Sequence, residues 1–180
     1  SPALLNPIKH GANLVIHSLT KYIGGQGNSL GGAIIDAGTF DWTNDKFPEF
    51  TEPSEGYHGL VYSEALGAAA STFKLILEGL RDFGGALSPF NAFLILQGLE
   101  TLSLRMKAHC DNASKVANFL EKHKSIKKVI YPELQSGNSK TSADEHLHGG
   151  YGGLVGFELS GGLQAGKKFI DALEYIGLIG

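Results

Sequence analysis

The stretch HSLTKYIGGQGNSLGG, His17 to Gly32, sets one lysine behind two hydroxyl side chains and ahead of a run of glycines. It follows directly on the apolar Leu14, Val15 and Ile16. A lysine ending a buried strand is costly to desolvate without a partner. The glycines after it suit a ligand that comes close to the backbone. Three chemistries compete for this arrangement: a phosphate cradle, a serine nucleophile elbow, and an amine that condenses with a carbonyl.

The phosphate cradle fails first. A P-loop needs a lysine directly after its second glycine, and none follows here. The dinucleotide pattern G-x-G-x-x-G breaks at Leu30, where a third glycine should follow Gly25 and Gly27. The serine elbow comes closer, because Gly27-Asn28-Ser29-Leu30-Gly31 matches G-x-S-x-G. Asp144 and His146 or His148 lie downstream in the hydrolase order. An elbow requires a helix after the serine, whereas the apolar Ala33, Ile34 and Ile35 read as a strand. A chance match at Ser29 is the expectation.

The amine reading suits its surroundings. Schiff-base chemistry needs an amine on a rigid element with a lowered pKa. Ser18 and Thr20, just before Lys21, place two hydroxyls where they can bind an anion beside that amine. A cofactor carrying both an aldehyde and a phosphate would use such a group. The plainer alternative is a lysine that snorkels to solvent beside hydroxyls that cap backbone groups. On spacing alone the two readings stand level.

The elements that must position these residues are those of an α/β protein. With 42% hydrophobic and 18% charged residues, the chain is globular material. A net charge of −3 without a basic block argues against a nucleic-acid surface. Cys110 is the one cysteine, so no internal disulfide forms. No apolar run reaches membrane-spanning length, and no signal-peptide pattern opens the chain. The 25 glycines, about twice the usual share, cluster between apolar segments as turns do.

After a lead-in over 1–11, residues 12–18 and 32–37 read as short strands. Residues 40–62 form a polar, aromatic-rich excursion with Pro48 and Pro53, expected at the surface. Residues 64–80 have helical composition, stopped by Gly84-Gly85. Ser88-Pro89 opens a helix with a capping hydroxyl and a proline at the first helical position. The helical pattern running on to Leu120 is long, which predicts a break or domain crossing near 102–109. Then come a strand over 127–131, a polar loop over 135–148, a strand over 154–159 and a final helix over 163–176.

The run NLVIHSLTKYIGGQG closely resembles the lysine signature of the pyridoxal-phosphate-dependent Cys/Met metabolism family, which includes cystathionine synthases and lyases. The likeness continues through EGLRDFGGALSPFNAFLILQGLETLSLRM and GGYGGLVGFELSGG, covering nearly the whole chain. Asn13 and Leu19 depart from the usual signature, and neither is a group that the chemistry needs. The resemblance implies a fold-type-I transferase. Residues 1–102 would be the C-terminal part of its large cofactor domain, and 103–180 the incomplete start of a smaller C-terminal α+β domain. It implies that Lys21 holds pyridoxal 5'-phosphate as a Schiff base while Ser18 and Thr20 hold its phosphate.

The excursion FDWTNDKFPEFTEPSEGYHGLVY resembles the insertion of the O-acetylhomoserine sulfhydrylase branch. That implies γ-replacement: acetate leaves, sulfide adds and homocysteine is released, a methionine-biosynthetic step. Cystathionine synthesis, γ-elimination and methionine γ-lyase chemistry are the alternatives within the family. The resemblance also implies a cytoplasmic homo-oligomer, a tetramer in the family, with an amino-acid substrate and neither nucleic-acid nor membrane partners. The family's pyridine-nitrogen aspartate, ring-stacking tyrosine and partner-subunit phosphate grip would fall before Ser1, and its carboxylate-binding arginine after Gly180. The chain is thus expected to be a central-to-C-terminal portion of such an enzyme; a non-catalytic binding or structural piece is the alternative of another class.

Other residues have plainer expectations. His146 and His148 beside Asp144 and Glu145 read as a solvated loop and not a metal site. His17 reads as a satisfied core histidine. Tyr57 and His58 could face a substrate channel or pack on a neighbouring subunit. Asp41, Asp45, Glu49, Glu52 and Glu55 read as solvated surface.

Overall fold

The β-branched and apolar run before Lys21 forms β1 (Leu14–Ser18), which pairs antiparallel with β2 (Gly32–Asp36). The register sets Val15 opposite Ile35, Ile16 opposite Ile34 and Ser18 opposite Gly32. The structure is a computed structural model and describes residues 2–177. Ser1 of the lead-in, and residues 178–180 at the end of the second expected domain, lie outside them.

The described chain divides into two compact units, Asn6–Leu102 and Ser103–Gly180, the latter taking in Ser1–Leu5. In the first unit, Ile16 and Ile34 lie on one face of the hairpin and Ile35 on the other, and all three are exposed. Both faces of this hairpin are therefore apolar, the pattern of strands covered on two sides.

The excursion keeps its polar residues at the surface, as its composition suggests, but its rings form a small core of their own. Trp42 and Phe50 are buried with Tyr62 and Ala70, and Phe40, Phe47, Leu60, Leu66 and Leu77 pack around them. Phe50 stacks on Trp42 at 4.3 Å between centroids, and Phe40 and Phe47 meet Trp42 at 4.5 and 5.6 Å. Rings of this size bury enough area to make a small core among polar residues. Helix α1 (Pro48–Thr51) carries Phe50 inward. The acidic residues Asp41, Asp45, Glu49, Glu52 and Glu55 all face solvent, as the sequence suggests.

The helical composition over 64–80 resolves into pieces. Helix α2 (Tyr62–Leu66) ends at Gly67, whose φ of 51° suits glycine. Helix α3 (Ala70–Lys74) then continues through wider turns over Leu75–Asp82 and stops before Gly84. Helix α4 (Pro89–Glu100) starts as expected, with Ser88 Oγ accepting from the Asn91 N–H at 3.1 Å.

The break in the long helical pattern falls at Thr101, at the near edge of the expected region. Its hydroxyl donates to the Gly98 carbonyl at 3.3 Å, competing with the helical ladder. Helix α5 (Leu102–Glu121) follows. Its buried stripe of Met106, Cys110, Ala113 and Ala117 is what helical spacing predicts for one face.

In the second unit, β3 (Ile126–Ile130) and β4 (Gly156–Leu159) pair antiparallel with an irregularity between Ile126 and Lys128. Tyr131, fully buried, packs on Ala113 and Ala117, and its hydroxyl donates to the Gly152 carbonyl at 3.0 Å. The expected polar loop over 135–148 is largely a helix, α6 (Gly137–His146). It has no apolar stripe to reveal it; a Lys140–Asp144 ion pair one turn apart and a Lys140 bond to the Tyr151 hydroxyl at 2.9 Å support it. The final helix, α7 (Gly162–Asp171), stops short of the expected Ile176.

Candidate functional site

Ser18, Thr20 and Lys21 come together at the end of β1 and in the turn that leaves it, Leu19–Ile23. That turn is wide: the Gly24 N–H donates to the Leu19 carbonyl at 2.8 Å, five residues back. Lys21 itself leaves helical geometry, with φ −88° and ψ −127°, so the turn kinks at the lysine. The Gly25 N–H donates to the Lys21 carbonyl at 2.8 Å, and the Leu19 N–H to the Gly31 carbonyl at 2.9 Å. Backbone bonds thus fix the turn before and after Lys21.

The three side chains are not equivalent. Ser18 and Lys21 are exposed, and neither side chain has a hydrogen-bond or ion-pair partner among the described residues. Thr20 is half-buried and held at both ends: its Oγ1 accepts from the Gly31 N–H at 3.0 Å and donates to the Gly31 carbonyl at 3.3 Å. The N–H bond orients the threonine oxygen, while its own proton sits in the longer of the two bonds. An aldehyde-and-phosphate group fits this donor set. It offers one amine with no partner and two hydroxyls within three residues, one of them exposed.

The glycines beyond Lys21 do more than turn the chain. A Cβ built on Gly31 would lie 2.7 Å from Ile95 Cδ1, and one on Gly24 would lie 2.8 Å from the Leu19 carbonyl oxygen. Ser29 is half-buried, its Oγ 3.5 Å from the Asn91 carbonyl, and β2 follows it where an elbow would need a helix. The hydrolase reading is excluded on that context.

The remaining candidates are placed elsewhere. His17 is half-buried on the hairpin face opposite Ser18, and its ring has no partner among the described residues; it is not the satisfied core histidine expected. Tyr57 donates to Asp82 Oδ2 at 2.8 Å under the Arg81 guanidinium. His58 is exposed at φ 58° on the tip of that small loop. In the second unit, Asp144 accepts from both Lys140 and the Tyr151 hydroxyl, which hold its carboxyl below the usual range. Among the described residues no group of three or more His, Cys, Asp or Glu could hold a metal ion. Nor is any described helix long and apolar enough to cross a membrane.

Comparison with known proteins adds the following. The model of the Cys/Met metabolism PLP-dependent enzymes matches residues 1–179. An O-acetyl-L-homoserine sulfhydrylase of Leptospira meyeri is 52% identical over 99% of the chain, which covers 42% of that protein. A homocysteine synthase of Schizosaccharomyces pombe is 48% identical over 95% of the chain and 40% of its own length. The chain therefore spans about two fifths of the relatives it matches. Among solved structures, a candidate O-acetylhomoserine (thiol)-lyase of Campylobacter jejuni superposes with a TM-score of 0.92 at 38% identity, over 99% of this chain and 45% of that one. That crystal contains a pyridoxyl-lysine monophosphate residue. A cystathionine gamma synthase of Xanthomonas oryzae, in complex with aminoacrylate and cysteine, gives 0.71 at 31% identity, over all of this chain and 38% of the other.

Proposed function

The chain belongs to the Cys/Met metabolism PLP-dependent enzymes, and we propose that the protein carrying it makes homocysteine from O-acetylhomoserine and sulfide, with Lys21 as the lysine that binds pyridoxal 5'-phosphate. One observation carries the site assignment. Lys21 is an exposed amine with no partner among the described residues, on a turn fixed by backbone bonds and flanked by two hydroxyls. The two sulfhydrylase-type relatives and the thiol-lyase structure support the substrate class.

When bound, the cofactor supplies an electron sink that stabilises negative charge next to the amino carbon of the substrate. The chain's own residues bind and move protons. Lys21 Nζ would hold the cofactor covalently and, as a free amine, would carry a proton to or from the substrate carbons. Ser18 Oγ and Thr20 Oγ1 would donate to the cofactor phosphate. Gly31 N–H keeps Thr20 Oγ1 oriented, and the hydroxyl proton, now in the longer bond to the Gly31 carbonyl, would be the one available to the phosphate. Acetate departs, sulfide adds, and the products are homocysteine and acetate.

In this reading residues 1–102 close the cofactor domain and 103–180 begin the C-terminal domain of a cytoplasmic homotetramer. Cystathionine chemistry is the second reading, favoured by the Xanthomonas likeness. The test uses the whole-length protein. Borohydride reduction should fix a phosphopyridoxyl mass on the peptide containing Lys21, and homocysteine formation from O-acetylhomoserine and sulfide should outpace cystathionine cleavage. Light scattering should give four subunits. Modification of a different lysine overturns the site; the opposite substrate preference moves the protein to the lyase branch and leaves Lys21 standing.

A further inference from the structure

One face of α4 lies against the Lys21 turn, and its contacts leave no room for a larger side chain. Ile95, 5% exposed, meets the backbone at Gly31, where even a methyl group would come within 2.7 Å of its Cδ1. One turn further along the same face, Gly98 is buried. A Cβ built there would lie 2.6 Å from the Gly24 carbonyl carbon, 2.8 Å from its Cα, and closer still to its oxygen. Such a methyl requires helix and turn to part by about 1 Å, since carbon atoms in contact stand roughly 3.5–4 Å apart. Gly24 is the residue whose N–H closes the turn on Leu19, three positions past Lys21.

We propose that α4 is a splint for the lysine: Gly98 against Gly24, and Ile95 against Gly31, set where Lys21 stands relative to its neighbouring hydroxyls. Gly98 and Ile95 are positioning residues. The role of Gly98 is the absence of a side chain, which lets two backbones touch and gives the turn a rigid stop. Ile95 fills the space beside Gly31, whose N–H and carbonyl both hold Thr20. The same α4 face thus bears on the amine through Gly24 and on the phosphate-binding hydroxyl through Gly31. The proposal rests on the assignment of Lys21 made above.

The experiment uses the whole-length apo protein with pyridoxal 5'-phosphate as the probe, in the wild type, Gly98→Ala, Ile95→Ala and Ile95→Val. Three quantities are read: the borohydride-fixed mass on the Lys21 peptide at a fixed cofactor concentration, the pH profile of the visible absorbance, and the cooperativity of apo unfolding. In folded Gly98→Ala, Lys21 modification should fall on the order of ten- to a hundredfold, as small misplacements of reacting groups do, and the pH profile should move. Ile95→Ala should lose several-fold, and Ile95→Val should stay within about twofold. If Gly98→Ala does not fold, the Ile95 pair decides. Ile95→Ala with wild-type modification and an unmoved pH profile overturns the splint. Wild-type modification at a lysine other than Lys21 overturns the Lys21 assignment and the splint with it.

Discussion

Two irregular segments of the first unit, the Leu19–Ile23 turn with its glycines and the excursion over 40–62, are held by opposite means. The turn is fixed through its own backbone: Gly24 under Gly98, Gly31 under the Ile95 side chain, and the bonds from Gly24 to Leu19 and from Leu19 to Gly31. The excursion is fixed by side chains, with Trp42 stacked on Phe50, Phe47 edge-on to Trp42, Phe50 edge-on to Tyr62, and Lys74 4.6 Å over the Tyr62 ring. Packing by glycine leaves polar side chains free to point outward, whereas packing by rings consumes the side chains. The segment with free polar groups is the one suited to chemistry; the other is suited to shape.

The largest effect that would break this contrast is at Lys21. Lys21→Ala should cut homocysteine formation on the order of 10³-fold or more, since covalent attachment and proton transfer are lost together. Its exposed side chain carries little of the fold, so thermal unfolding of the apo protein should stay within about 0.5 kcal/mol of the wild type. Steady-state rates and calorimetry check the two halves. A large stability loss would make Lys21 a structural residue and erase the distinction.

Trp42→Ala should do the reverse. Removing a buried indole from a ring cluster costs about 3–5 kcal/mol, read as a lower denaturant midpoint. The folded fraction should still take up cofactor at Lys21. Loss of Lys21 modification in folded Trp42→Ala would show that the excursion also positions the lysine.

Thr20 sits between the two regimes, because its hydroxyl is both a backbone tie and a proposed phosphate donor. Thr20→Val leaves the Gly31 N–H without its acceptor and should cost about 1–2 kcal/mol, together with weaker cofactor binding by absorbance titration. Thr20→Ser should restore both. Unchanged stability in Thr20→Val would mean that the Gly31 bond does not hold the turn.

What was legible in the sequence follows the same division. Residue type marks Ser18, Thr20 and Lys21 as candidates, but spacing alone leaves the amine level with a solvent-facing lysine, and it is the family resemblance that favours the proposed site. Ser88 and Pro89 announce their helix, since a cap is a local signal. The Gly24–Gly98 contact left no readable mark: it joins glycines more than seventy residues apart, and a glycine inside a helix only hints at a close neighbour. The excursion misled because its buried rings are spaced among charges, with no period to betray a core. Helix α6 misled because it is polar all round, and its support, the Lys140 contacts with Asp144 and Tyr151, depends on how Tyr151 folds back.

The smallest effect tests the excursion's core by pH. Burial, and then the nearby negative charge of Glu78, push the Tyr62 phenol, whose hydroxyl has no hydrogen-bond partner among the described residues, up to about 12 from its ordinary 10. The folded protein therefore keeps this proton where the unfolded chain has already lost it. Between pH 10 and 12 the unfolded state binds fewer protons, so stability falls as pH rises, by up to about 1.4 kcal/mol per pH unit. The contribution is complete below pH 10 and gone above about 12. Tyr62→Phe keeps the ring beneath Lys74 and removes the titration. At pH 7 it should change stability by no more than about 1 kcal/mol, and between pH 10 and 12 it should lose less than the wild type. Tyr131 in the second unit, also pushed to about 12, titrates in both proteins and cancels in the difference. Denaturant midpoints at pH 8, 10 and 11 measure it. Parallel losses in the two proteins would show that Tyr62 ionises as freely as an exposed phenol, and that the ring cluster is open to water.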